Sequence, residues 1–297
     1  MGVDNPMKAS SGWRHWRDRV LLHEDLNFLL TNRVPRAALT HAMGWYARID
    51  SPLLLRLSLT LWRLFDDLDL SDAAPGPYRS LRDVFTRALR PGARPFDPRA
   101  DILCSPCDAI VGACGPVCGT TAWQAKGFPY RLEDLMGETC ARTFADGRFV
   151  TLRLTATMYH RFHAPADLRL HRVTYFSGDT WNVNPIALRR VQRLFCRNER
   201  ALLETELTDG TPMAMVAVAA ILVASIRLHP VDVTLHLRYS GPNVIPCGVA
   251  LQRGQEIGWF EHGSTIIVFV PAGYELAPGV ESGVRLRAGQ PLWQRVG

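Results

Sequence analysis

Between Arg36 and Ile49 the apolar residues Leu39, Ala42, Met43, Tyr46 and Ile49 recur at the three-and-four spacing of one helical face, with Pro35 just ahead of them. This spacing predicts a helix. Ser51-Pro52 supplies an N-cap and a first-turn proline for a second helix reaching Phe65, in which the polar residues Arg56, Thr60 and Arg63 share a narrow stripe and leave a wide apolar face. The acidic, Pro- and Gly-containing segment from Asp66 to Pro77 marks a break, and Ser80-Leu81-Arg82-Asp83 resembles a capping box opening a short helix to Leu89. After the turn Arg90 to Pro95 the pattern changes. Beyond Asp101 short β-rich runs stand between Gly, Pro and Asp: Ile102 to Cys104, Ala109 to Val111, Phe149 to Tyr159, Ala214 to Ile226, Val233 to Tyr239 and Ile266 to Val270. The expected class is α+β, with N-terminal amphipathic helices over 1–75 and a mainly antiparallel β domain over 76–297.

Composition narrows the chemistry. At 47% hydrophobic over 297 residues the chain has enough apolar material for a sizeable core. Only Lys8 and Lys126 are lysines, which leaves 32 of the 34 basic residues as arginine. Pyridoxal phosphate needs a Schiff-base lysine, and neither of these sits in a recognisable setting for it, so a decarboxylase here would need another electron sink. Seven cysteines, an odd number, fit a reducing compartment better than a disulfide framework. The spacing Cys104-x2-Cys107-x6-Cys114-x3-Cys118 is tighter than usual zinc ribbons, and its reading is buried small side chains with no metal.

No signal-peptide pattern stands in Met1 to Arg19, and the longest uncharged apolar run, Met213 to Ile226, has 14 residues, too few for a membrane-spanning helix. From Lys8 to Arg63 nine basic residues face four acidic ones, interleaved with Trp45, Trp62 and leucines. Such helices suit an anionic membrane surface, or else pack on the protein's own core. No nucleic-acid-binding pattern accompanies the basic residues.

Three elements carry candidate chemistry. Gly263-Ser264-Thr265 precedes a β-branched run, where a glycine gives the Ser264 hydroxyl room to approach the Gly263 carbonyl. Tyr159-His160-Arg161-Phe162-His163 follows a predicted strand and puts two imidazoles at its end, as catalytic bases or as structural or metal-binding residues. Asp108, in Ser105-Pro106-Cys107-Asp108, supplies a carboxylate on another loop.

From about residue 35 onward these stretches together resemble the type I phosphatidylserine decarboxylase family. Phe85 to Pro95 resembles the segment before that family's aspartate loop, and Ser105-Pro106-Cys107-Asp108 its Ser-Pro-x-Asp-Gly. Gln124 to Gly127 with Tyr130 to Leu135 is similar to its Lys-Gly and Ser-Leu-Glu-Asp-Leu run, Tyr159 to His163 to its Tyr-His-Arg-x-His, and Val183-Asn184-Pro185 to its Val-Asn-Pro. Phe195 with Asn198-Glu199-Arg200 and Gly254 to Gly258 with Gly263-Ser264-Thr265 complete the likeness.

The resemblance implies a proenzyme that cuts itself between Gly263 and Ser264 into a β chain, 1–263, and an α chain, 264–297, with Ser264 becoming a covalent pyruvoyl group. It assigns Asp108, His163 and Ser264 to self-cleavage, His163 as base and Asp108 as its orienter, and gives His160 a part in decarboxylation. It further implies phosphatidylserine as substrate, phosphatidylethanolamine and carbon dioxide as products, a homodimer, and peripheral attachment to the cytoplasmic side of a bacterial membrane. Ala109 departs from the family's glycine, and Val218 to Ile226 carries alanines at two glycine positions. The added Cβ atoms put the substrate in more question than the mechanism. Another seryl phospholipid, a small amino acid, or an inactive membrane-binding relative are the other readings.

Overall fold

Helices form where their N-terminal signals stand, and their far ends are set by what the chain meets next. The computed structural model describes residues 24–65, 68–125, 128–222, 225–261 and 264–296. Helix α1 (Glu24–Asn32) precedes α2 (Arg36–Tyr46), α3 (Pro52–Phe65) and α4 (Leu81–Phe85). The capping box is present: the Asp83 amide donates to Ser80 Oγ, and the Ser80 amide donates to the Asp83 carboxylate. Helix α4 stops short of the expected Leu89 because residues 86–90 bond to the preceding segment instead. Ala74 N donates to Ala88 O, and Arg90 N to Asp72 O.

The strands are β1 (Ile102–Cys104), β2 (Ala109–Pro116), β3 (Thr121–Ala125), β4 (Phe128–Arg131), β5 (Arg148–Leu154), β6 (Arg161–His163), β7 (Leu168–Phe176), β8 (Arg200–Leu207), β9 (Pro212–Val218), β10 (Ile226–Leu228), β11 (Val233–Leu235), β12 (Val244–Leu251), β13 (Glu256–Phe260), β14 (Ser264–Val270), β15 (Tyr274–Leu276), β16 (Arg285–Leu286) and β17 (Pro291–Arg295). Eight of them make the main sheet, in the order β12-β7-β8-β9-β14-β5-β2-β16, and a four-stranded sheet has the order β11-β10-β13-β6. All the named pairings are antiparallel, as the expected class requires.

Strand β14 is the main sheet's inner strand. Its seven residues are all buried, and it pairs with β5 on one side and β9 on the other. Burial on both faces is why Ile266-Ile267-Val268-Phe269-Val270 reads as a continuous apolar run rather than an alternating one. Phe269 lies 6.1 Å from Phe144 and 6.3 Å from Phe149 between ring centroids. Each such side chain stabilises the fold by about 1.5–3 kcal/mol through burial.

Three expected strands are shorter than their runs: that over Val233 to Tyr239 ends at Leu235, and the other two show a common cause. The run 214–226 divides: β9 ends at Val218, opposite Thr265, and Leu222 turns the chain at φ +68° before β10 begins. Likewise β5 ends at Leu154, opposite Ser264, and Met158 N closes a turn onto Thr155 O. In both cases the strand lasts as long as β14 is there to pair with it.

A second, smaller apolar cluster joins Ala47 and Leu55 to Leu81, Val84 and Phe85, so α2 and α3 pack on α4 across the break near residue 75. Among the described residues nothing packs over the other face of α3. Leu53, Leu57 and Leu61, one turn apart, are 69%, 60% and 55% exposed, and Trp45 on α2 is 70% exposed. Among the described residues no helix is long and apolar enough to cross a membrane.

Candidate active site

Ser264 opens β14, and its neighbours fix where the Gly263-Ser264 bond must run. Ser264 pairs with Leu154 at the end of β5. On the other side of the bond, Phe260 at the end of β13 donates its amide to the His160 carbonyl at 3.0 Å. His262 and Gly263 lie outside the described residues, but the two pairs bracket them. Three residues lie between Phe260 and Ser264, four steps and at most about 14 Å of chain, so His160 shares a short closed loop with the bond.

Ser264 has no exposed surface, and its Oγ has no hydrogen-bond partner among the described residues. A buried hydroxyl left unpaired costs about 1–3 kcal/mol, so its retention calls for a use. His160 is also fully buried, with its ring edge-on to Phe85 at 5.9 Å between centroids.

His163 stands opposite Glu256 on β13. Its Nδ1 is 3.0 Å from the Gly254 carbonyl oxygen and its Nε2 3.0 Å from the Tyr159 hydroxyl. The carbonyl accepts only, so Nδ1 carries the proton and Nε2 faces the hydroxyl as an acceptor. Burial pushes the His163 pKa below its ordinary value, and the Gly254 hydrogen bond offsets this only in part. A neutral imidazole is the form a general base needs, and here its one lone pair is held by the Tyr159 hydroxyl. Gly254 presents that carbonyl from φ +79°, a conformation that disfavours any side chain.

Asp108, expected to orient His163, is gripped elsewhere. Arg94 Nε donates to its Oδ1 at 2.8 Å and Nη2 to its Oδ2 at 2.7 Å, while the Ala288 amide adds a bond of 2.9 Å. Arg94 also donates to Asp72 at 2.8 Å. Burial disfavours the Arg94 charge, but the bonds to Asp108 and Asp72 more than reverse this and hold its pKa above the ordinary guanidinium value. A cavity of about 110 Å³ is bordered by Arg94, Asp108, Thr157 and Tyr159. Asp108 thus makes its bonds to Arg94 and Ala288, and the cavity separates it from the histidine segment.

The arginine between the histidines holds the frame. Arg161 Nη1 bonds both oxygens of Glu256, at 3.1 and 2.9 Å, and its Nε and Nη2 donate to the Thr86 carbonyl. In the facing strand, a Cβ on Gly258 would run into the Arg227 carbonyl oxygen. Sequence reading gave no role to Tyr159, Gly254 or Arg94, although all three stand inside the quoted motifs. Their roles depend on distances across the fold. Among the described residues no three His, Cys, Asp or Glu side chains converge as metal ligands.

One cavity, about 410 Å³, reaches β14 and is bordered by Thr151, Arg153, Gln124 and Thr265 among others. Another, about 270 Å³, lies at the end of β5, bordered by Arg153, Leu154, Asn182, Asn184 and Ala220. A small molecule therefore has room beside Thr265, the residue after Ser264.

Comparison with known proteins bears on this arrangement. A family model described as phosphatidylserine decarboxylase matches residues 81–294. A protein of Brevibacillus brevis called phosphatidylserine decarboxylase proenzyme is 33% identical over 270 residues, which is 89% of this chain and 95% of the relative. Proteins of the same name from a Shewanella species and from Shewanella baltica are each 35% identical over 282 residues, 90% of this chain and 96% of theirs.

Proposed function

The chain belongs to the phosphatidylserine decarboxylase family, and from that premise we propose that it is a self-processing decarboxylase that converts phosphatidylserine to phosphatidylethanolamine and carbon dioxide. The observation that carries the self-processing is the buried Ser264 hydroxyl, without a partner among the described residues, at the mouth of an inner strand.

Ser264 Oγ attacks the Gly263 carbonyl as His163 takes its proton, and the peptide becomes an ester as the Ser264 nitrogen leaves as an amine. β-Elimination then releases Gly263 as a carboxylate, and uptake of water with loss of ammonia leaves a pyruvoyl group at residue 264. The position fits this group, because it would replace a buried hydroxyl that has no partner among the described residues. When formed, it supplies a ketone conjugated with a carbonyl that takes up the electron pair released as carbon dioxide leaves. Asp108 holds the field around His163, and His160 returns a proton to the product carbon. Cleavage does not free the α chain, since β14 remains paired with β5 and β9, and β16 and β17 with β2 and β1.

In the expected result, His160→Ala still splits into two chains but releases no carbon dioxide from phosphatidylserine vesicles, whereas His163→Ala stays whole. Intact mass and trapped carbon dioxide measure the two events, and native mass measures the homodimer. The opposite pattern would exchange the two roles, which the nearness of His160 to the bond makes a real contest. A wild-type chain that remains whole would sink the self-processing.

The exposed face of α3 supports peripheral attachment to an anionic membrane, on the cytoplasmic side. Leu53, Leu57 and Leu61 would enter the interface while exposed Arg56 and Arg63 meet lipid phosphates. Leu57→Asp with Leu61→Asp should lower co-sedimentation with anionic vesicles at least tenfold, since each leucine contributes about 1.5 kcal/mol or more on burial. Undiminished sedimentation would refute this face as the contact.

A further inference from the structure

A cleft of about 340 Å³ lies between α2 and the loop after β11, and it uses none of the residues assigned above. Its polar lining comes from Thr40, His41, Arg48, Ser225, His236 and Arg238. Ser225 is 3% exposed and its Oγ has no partner among the described residues. Thr40 Oγ1 accepts from the Leu222 amide at 3.1 Å, which leaves its own proton to donate. His236 Nδ1 accepts from the Arg238 amide at 3.1 Å, so its proton sits on Nε2.

The cleft is thus a set of donors, which suits an anion and repels a metal ion. Arg238 is exposed and makes no ion pair among the described residues. Arg48 reaches Glu261 at 3.2 Å, but Arg82 already holds that carboxylate at 2.8 Å, so positive charge remains in excess. Two further observations identify the anion. Trp45 borders the cleft and is 70% exposed, so the opening carries an exposed tryptophan, the side chain that favours a lipid headgroup region. The Ser225 carbonyl accepts the Glu261 amide at 3.2 Å, and Glu261 is three residues from Ser264, at most about 10 Å of chain.

We propose that this cleft binds the phosphodiester of the substrate lipid, with Arg238, Arg48 and His236 as the main donors. The inference rests on the decarboxylase reading and specifies what holds the headgroup apart from its reacting serine.

The test uses the full chain carrying Ser264→Ala, so that no turnover is involved. Calorimetric titrations with glycerophosphoserine, inorganic phosphate and free serine separate the headgroup from its parts. Glycerophosphoserine should bind, phosphate more weakly, and serine not measurably. Adding Arg238→Gln should weaken glycerophosphoserine about tenfold, the usual scale for one charge-assisted hydrogen bond, and Arg238→Lys should keep most of the affinity. Equal affinity in the Gln variant, serine binding as tightly as glycerophosphoserine, or no binding of either phosphate compound would overturn the site. A wild-type chain that neither splits nor decarboxylates would count against the catalytic reading and leave this binding result standing.

Discussion

Ser264→Ala yields a single chain of 33.2 kDa with no α fragment and no decarboxylase activity. The substitution deletes one oxygen at a position with no exposed surface. Alanine fits the space, and the strand pairs with Leu154 and β9 are backbone bonds that do not involve the hydroxyl. The deleted hydroxyl has no partner among the described residues, so removing it relieves a desolvation cost of about 1–3 kcal/mol instead of creating one. The variant should therefore melt no lower than an uncleaved wild-type chain while losing both reactions completely. That combination separates chemistry from folding, because a structural role for the hydroxyl would lower Tm. Cleavage of the alanine variant between residues 263 and 264, seen by intact mass, would exclude Ser264 as the nucleophile.

Arg94→Leu should be the most damaging change outside the reacting residues. Arg94 and Asp108 side chains are 11% and 12% exposed, and the arginine closes a two-pronged bond on the carboxylate. Without it Asp108 keeps only the Ala288 amide, and a buried charge stripped of its partner costs about 3–5 kcal/mol. For a chain of this size that is a fall in Tm of roughly 6 °C or more. Self-cleavage should slow as well, since the carboxylate is no longer held beside the histidine segment. The double variant Arg94→Leu with Asp108→Asn removes the stranded charge and should regain much of the stability without regaining cleavage. An Arg94→Leu chain as stable as wild type, and cut at the wild-type rate, would refute both statements.

Much of this molecule was legible before its coordinates. The α2 and α3 spacings, the Ser80 to Asp83 box and the apolar run of β14 are local patterns, and each formed where its pattern stood. The ends of β5 and β9 were not legible, because apolar residues continue past both and the strands stop where β14 stops. Periodicity marks which face of a strand is buried and is silent on which strand lies beside it. The partners of the site residues were hidden for the same reason. Nothing near Asp108 in the chain announces Arg94, and nothing near His163 announces the Gly254 carbonyl, 91 residues away.

The sequence by itself determined the class of fold, the family, and the residue types gathered for the chemistry, since these follow from local spacing and from motifs that keep their order along the chain. Tertiary structure alone decided that Ser264 begins an inner strand held on both sides, that Arg94 claims Asp108, and that residues near 40 and 238 share one donor-lined cleft. These are matters of distance between remote segments. They are set when the sheets pair and the core closes, and a one-dimensional pattern does not contain them.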